Sequence, residues 1–130
     1  MDPHFDGVIF QTHAAELRRR LPHPWPPFVV LDVRPEEEYQ QGHIPGAVWG
    51  GHLDFPRAVP ALGHLPARIE IFVVGRDTAD LMIREASQAL RRLGAKRVVE
   101  LTGGMVEWAL DGGPLEGGGE PGTGELPEAA

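Results

Sequence analysis

The run Phe28-Val29-Val30-Leu31-Asp32-Val33, followed by Arg34-Pro35-Glu36-Glu37-Glu38-Tyr39 and then by Gly42-His43-Ile44-Pro45-Gly46-Ala47, decides the fold. An unbroken apolar stretch with a single acid is the pattern of a strand buried on both faces, as in a parallel sheet. Pro35 and the acids behind it then open a short helix, because proline's fixed φ suits a first helical turn and acids suit its positive end. The glycines and Pro45 of the next segment predict a tight turn, leading into a short strand Ala47-Val48-Trp49. Asp32 falls at the carboxyl end of its strand, where ligand crevices form in open α/β sheets. Arg34 and Glu38 are spaced to pair across the turn from strand to helix.

Outward from this stretch the alternation repeats. Ile69-Glu70-Ile71-Phe72-Val73-Val74 reads as a second long strand and Val98-Val99-Glu100-Leu101 as a third. Between them, from about Asp80 to Leu93, the apolar residues Met82, Ala86, Ala89, Leu90 and Leu93 recur at helical spacing, with Gly94 as the stop. Gly103-Gly104 turns into a last short helix carrying Trp108, expected as a buried anchor. Ahead of the first strand, Thr12 is placed to cap a helix over Ala14 to Arg20. Strands alternating with helices predict an α/β domain with a parallel sheet and helices on both faces. The proline-rich Leu21 to Pro27 reads as a rigid linker inside the domain. Gly112 to Ala130 has seven glycines, three prolines and four glutamates against two leucines, too little apolar surface to offset its ordering. The expected division is therefore a domain over 1–115 and a flexible tail over 116–130.

Composition bounds the partners. A chain of 130 residues suits one domain, and a net charge of −7 makes nucleic acid and anionic membranes poor partners. No basic-then-apolar leader opens the chain and no apolar run approaches the ~18 residues of a membrane span. A cytoplasmic protein, monomeric or weakly dimeric, is expected. The absence of cysteine removes disulfides, thiolate metal sites and thiol catalysis together. His4, His13, His23, His43, His52 and His64 form no close metal-ligand pair, and Ser87, the only serine, lies inside a helix, so neither a metal site, a bound cofactor nor a serine triad is expected.

Four segments, in order, resemble the rhodanese-like family: Leu31-Asp32-Val33-Arg34 with Glu38-Tyr39 and Gly42 to Ala47; Ile71 to Val74 before a loop and helix; Gln88-Ala89-Leu90-Arg91-Arg92-Leu93-Gly94; and Leu101-Thr102-Gly103-Gly104 with Trp108. The resemblance spans roughly Thr12 to Leu115. It implies a small α/β domain with a five-stranded, mostly parallel sheet between helices. It also implies sulfur transfer by a cysteine that follows the second long strand, its thiolate and persulfide held in a loop of converging backbone amides.

The corresponding stretch here is Gly75-Arg76-Asp77-Thr78-Ala79-Asp80. Counting back from Gly94 puts Asp77 in the cysteine position, the preferred register; counting from the strand puts Gly75 or Arg76 there. No side chain in either register can carry a persulfide, and a methionine thioether has no ionisable proton to lose. Asp77 or Thr78 can cap the following helix, and Arg76 and, less directly, Arg84 are placed to meet an anion. The leading expectation is a non-catalytic binding or regulatory module, with no catalytic residue, whose loop over Gly75 to Asp80 takes a small anion or a protein partner. The alternatives are an enzyme of altered chemistry, a hydrolase working through Asp77 and Asp80, and a sulfurtransferase in family membership alone.

Overall fold

The computed structural model describes residues 9–23, 25–50, 69–77 and 79–117. Strand β1 (Ile9–Thr12) leads to helix α1 (Ala14–Arg20), β2 (Phe28–Asp32), α2 (Glu36–Gln41), β3 (Val48–Trp49), β4 (Glu70–Val74), α3 (Leu81–Arg92), β5 (Arg97–Leu101) and α4 (Gly104–Leu110). The five strands form one sheet in the order β1-β5-β4-β2-β3. Every pairing is parallel, with Leu31 opposite Val73 and Val73 opposite Glu100 across the centre. The three strands read from apolar runs are thus the three central ones. β1 pairs along the edge with β5, Ile9 to Val98 and Thr12 to Leu101. Its four residues include only two large apolar side chains, which leaves no run to read.

Each face of the sheet carries its own core. On one side Val30, Phe72, Val74, Val99 and Leu101 pack with Ala14 and Leu17 of α1 and with Met105 and Trp108 of α4. On the other, Leu31, Ile71, Val73 and Val98 pack with Ile83, Ala86 and Leu90 of α3. The buried face of α3 is set by Ile83, Ala86, Ser87 and Leu90; Met82 and Ala89 flank it, and Leu93, expected inside, is 46% exposed because the helix ends at Arg92. Among the described residues no helix is long and apolar enough to cross a membrane.

Two expected caps move. Thr12 is the last residue of β1, where its carbonyl accepts the Thr102 amide, so His13 takes the cap position of α1 without a side-chain bond. Helix α3 is capped by Asp80, whose carboxylate accepts the Met82 amide at 3.0 Å, rather than by Asp77; Thr78 lies outside the described residues. Arg34 does not pair with Glu38. Both residues of the Asp32–Arg34 pair are buried, and the guanidinium spans the two carboxylate oxygens (Nε 3.0 Å, Nη2 2.7 Å) and also donates to the Gly42 carbonyl. It therefore clips the end of β2 to the end of α2.

The segment after α4 is docked as far as Gly117, further than a tail loose from Gly112 would allow. The Gly113 amide donates to the Trp108 carbonyl, the indole Nε1 donates to the Pro114 carbonyl at 2.8 Å, and His43 and Glu116 exchange backbone hydrogen bonds as an antiparallel bridge. The Glu116 carboxylate also accepts the Gly46 amide at 2.7 Å. Residues 118–130 lie outside the described part. Trp108 is 0% exposed and both packs in the core and holds this segment. Trp108→Ala should therefore cost about 3–5 kcal/mol, the range for emptying a large aromatic site. A loss under about 1 kcal/mol in denaturant melts would contradict that anchoring role.

Candidate functional site

The carboxyl ends of β4 and β5 bring Gly75, Arg76 and Asp77 against the start of α4. The first free amides of α4 are not left open to solvent or to an anion. Met105 N–H donates to the Gly75 carbonyl at 2.9 Å and Val106 N–H to the Arg76 carbonyl at 3.1 Å. Such close approach requires a residue without a side chain. A Cβ on Gly104 would stand 2.5 Å from the Gly75 oxygen and 2.8 Å from the Asp77 nitrogen, and Gly104 also has a positive φ of 55°. The glycine pair visible in the sequence is therefore the seat of the loop.

Inside the loop a carboxylate collects the amides. Asp80 Oδ2 accepts the Arg76 amide at 2.8 Å, while Oδ1 accepts that of Met82 at 3.0 Å. Asp77 Oδ1 accepts the Ala79 amide at 2.9 Å and its carbonyl accepts the Asp80 amide at 3.1 Å, a local turn that aims Asp80 inward. Gly75 is the first residue beyond β4 and is buried. A Cβ built on it would lie 2.8 Å from Asp80 Oδ2 and 2.6 Å from Ile83 Cγ1. The space in front of Gly75 is thus occupied by the carboxylate of Asp80 and the side chain of Ile83. Of the sequence candidates, Gly75, Arg76, Asp77, Ala79 and Asp80 come together here.

Arg76 leaves the loop toward α2. Its Nη2 lies 2.6 Å from Glu38 Oε2 and its Nε 3.2 Å from Oε1, a two-pronged pair in which the arginine side chain is 55% exposed and the glutamate 34%. The hydrogen bonds from Arg76 hold the Glu38 carboxyl below the ordinary carboxylate range, against a smaller opposing effect of burial. Glu38 carries no signal of its own for this role among three consecutive glutamates; the pairing depends on how the loop projects Arg76. Arg84 lies apart from the loop's mouth, with its Nε 3.7 Å from Glu100 Oε2. Among the described residues no group of three or more His, Asp or Glu is gathered as a metal site would need.

The model of the rhodanese-like domain matches residues 13–111. The chain belongs to the rhodanese-like domain family. Among solved structures, the crystal structure of the Alr3790 protein from Anabaena sp. is 36% identical, with 82% of this chain and 81% of that chain covered and a TM-score of 0.69. A thiosulfate sulfurtransferase from Pseudomonas aeruginosa is 25% identical over 86% of this chain and 20% of its own, with a TM-score of 0.66. Among curated proteins, the HTH-type transcriptional regulator Rv0324 of Mycobacterium tuberculosis is 35% identical over 88% of this chain and 47% of its own length. The putative sulfur carrier protein YrkF of Bacillus subtilis is 30% identical over 61% of this chain and 40% of its own. The chain thus spans less than half the length of these curated relatives. As a rhodanese-like domain with no cysteine in its sequence, it has the scaffold of the family without the thiol.

Two outcomes test the geometry of the loop. Gly104→Ala should displace it, seen as large amide shifts at Gly75 to Asp77 and a melting point lower by several degrees; an unperturbed loop would contradict the close approach. The stabilisation from Glu38 should be present above the ordinary carboxylate range and be lost as pH falls through its lowered pKa. A carboxyl titration by NMR should therefore place Glu38 below the ordinary carboxylate range, and Arg76→Ala should raise it.

Proposed function

We propose that this rhodanese-like domain is a non-catalytic binding or regulatory module, whose loop over Gly75 to Asp80 recognises a small anion or an anionic group on a protein partner. The single observation that carries the reading is the Asp80 carboxylate, which lies in front of Gly75 and accepts the loop amide of Arg76 and the helix amide of Met82. In this reading Gly75 stands where the family's cysteine would be, since it is the first residue after β4, and Asp80 is a built-in anion for the amides of the cradle. A carboxylate there can satisfy N–H groups, but it cannot accept and hand on a sulfur atom.

An outside anion then meets Arg76 rather than the inner amides. Its guanidinium is exposed and already engaged with a carboxylate, that of Glu38, in the paired geometry arginine uses for carboxylate, sulfate or phosphate. Exchange of Glu38 for a ligand oxygen anion would free α2 from the loop, and that change could be read by a partner. The relatives support such a role: one is named a transcriptional regulator, with the shared part making up less than half of it. We also infer a cytoplasmic domain, monomeric or weakly dimeric, since a net charge of −7 discourages self-association. The competing reading, a hydrolase using Asp77 and Asp80, is disfavoured because Asp77 Oδ1 and both Asp80 oxygens are committed to backbone amides.

The test is sulfur transfer itself. The wild-type protein should show no thiosulfate:cyanide turnover above buffer and no mass gain of one sulfur atom after thiosulfate; clear turnover would sink the reading. Gly75→Cys combined with Asp80→Ala and Ile83→Val, which clear the space, should yield a thiol of lowered pKa that takes up sulfur. Asp77→Cys and Arg76→Cys should not. Uptake at Asp77→Cys alone would move the cysteine position and remove Asp80 from the cradle. Sulfate should shift the Arg76 and Glu38 signals in the wild type and not in Arg76→Ala.

A further inference from the structure

Glu100 is an acid in a core strand. It is 5% exposed, two residues beyond Val98 on the face of β5 that meets α3, and its charge is only partly compensated. Its Oε2 accepts the Ser87 hydroxyl at 2.7 Å and lies 3.7 Å from Arg84 Nε, beyond hydrogen-bond range. Its Oε1 has Gln11 Nε2 at 3.4 Å, at the limit of that range. A carboxylate offers about four acceptor positions, and a buried charge is costly unless paired and hydrogen-bonded. One good hydrogen bond and two long contacts leave Glu100 with unused acceptor capacity.

Glu100 borders open space. A cleft of about 360 Å³ runs along the carboxyl ends of β5 and β1 beside the start of α3, lined among others by Gln11, Asp80, Ile83, Arg84, Glu100 and Thr102. Ala79 and Asp80 of the loop line it, while Gly75, Arg76 and Asp77 do not, so the cleft adjoins the loop without including Arg76. The volume suits a small molecule, and the carboxyl ends of parallel strands are where ligands enter open α/β sheets. Two acids and one base make the lining net negative. Asp80 has both oxygens held by amides, which leaves Glu100 as the acceptor a ligand can use. Ile83 supplies an apolar wall, while Gln11 and Thr102 supply neutral polar groups.

We propose that this cleft binds a small protonated amine, its ammonium group seated on Glu100 between Gln11 and Thr102 and its apolar body against Ile83. Arg84, whose side chain is 64% exposed, is the internal cation that occupies the neighbourhood in the unliganded protein, and it swings outward when the ammonium enters. The site does not depend on the missing thiol; it shares Asp80 with the loop, where backbone amides hold both oxygens of that carboxylate.

The proposal is tested by titrating the full chain with isobutylamine, followed by backbone amide NMR, with isobutyrate as the control of equal shape and opposite charge. Isobutylamine should give saturable shifts centred on Gln11, Glu100 and Thr102, and isobutyrate none. Glu100→Gln keeps the shape of the side chain and one acceptor oxygen, with the Ser87 hydroxyl turning to accept from the new amide, and should weaken amine binding about tenfold or more, the scale of one charge-assisted hydrogen bond. Gln11→Leu, on the exposed edge strand, should also weaken it and serves if Glu100→Gln folds poorly. Arg84→Ala, which removes the internal competitor, should bind the amine at least as tightly as the wild type. Absence of saturable shifts at the cleft, equal binding of isobutyrate, or unchanged affinity in Glu100→Gln would overturn the proposal.

Discussion

The candidate loop depends on a contact between backbones: the amides of Met105 and Val106 donating to the carbonyls of Gly75 and Arg76. A helix start leaves its first N–H groups without partners inside the helix, and here two of them are spent on a neighbouring chain segment. Everything upstream serves to hold that contact. Trp108 and Met105 fix α4 against the sheet, Gly104 removes the side chain that would keep the loop away, and β4 delivers Gly75 at the right height. With the loop's carbonyls turned toward α4, Arg76 N–H is free to turn the other way, where Asp80 receives it.

The chemistry of the loop follows from what Asp80 is. Converging amides and the positive end of α3 favour a negative charge whether it belongs to a thiolate, a bound oxyanion or a side chain of the same protein. A carboxylate supplied by the first turn of α3 has the advantage of permanence, because it needs no ligand and caps the helix as well. An aspartate cap contributes about 0.5–2 kcal/mol to a helix. The scaffold thus stays folded around a carboxylate in that place, and a shared fold does not by itself carry a shared chemistry.

The fold was legible because its signals are strong and local. Phe28 to Val33, Ile69 to Val74 and Val98 to Leu101 are apolar runs too long and too rich in valine and isoleucine for anything but central strands, and they lie side by side. What escaped was decided by tertiary contact. β1 forms because an existing edge, that of β5, templates four residues with little pattern of their own. The cap of α3 falls to Asp80 because Asp77 closes a turn before the helix begins, and no rule of spacing separates two acids three residues apart. Arg34 and Glu38, spaced as a pair, were separated by Asp32 and Arg76, each holding one of them from a different segment.

Those two ion pairs also differ in kind. The Asp32–Arg34 pair is buried, and removing either partner would leave a charge without water or counter-charge, an expensive defect of several kcal/mol. It is a structural strut, and the Gly42 carbonyl on the same guanidinium ties it to the turn before His43. The Glu38–Arg76 pair lies at the surface, where such contacts are weak and water replaces either partner readily. A weak pair is a poor strut, and in the proposed reading it is the exchange point, since a competing anion need overcome little to take the arginine. The two pairs flank α2, one rigid at its end and one exchangeable along its length. A ligand that took Arg76 would therefore release α2 from the loop while the Asp32–Arg34 clip kept the helix attached to the sheet.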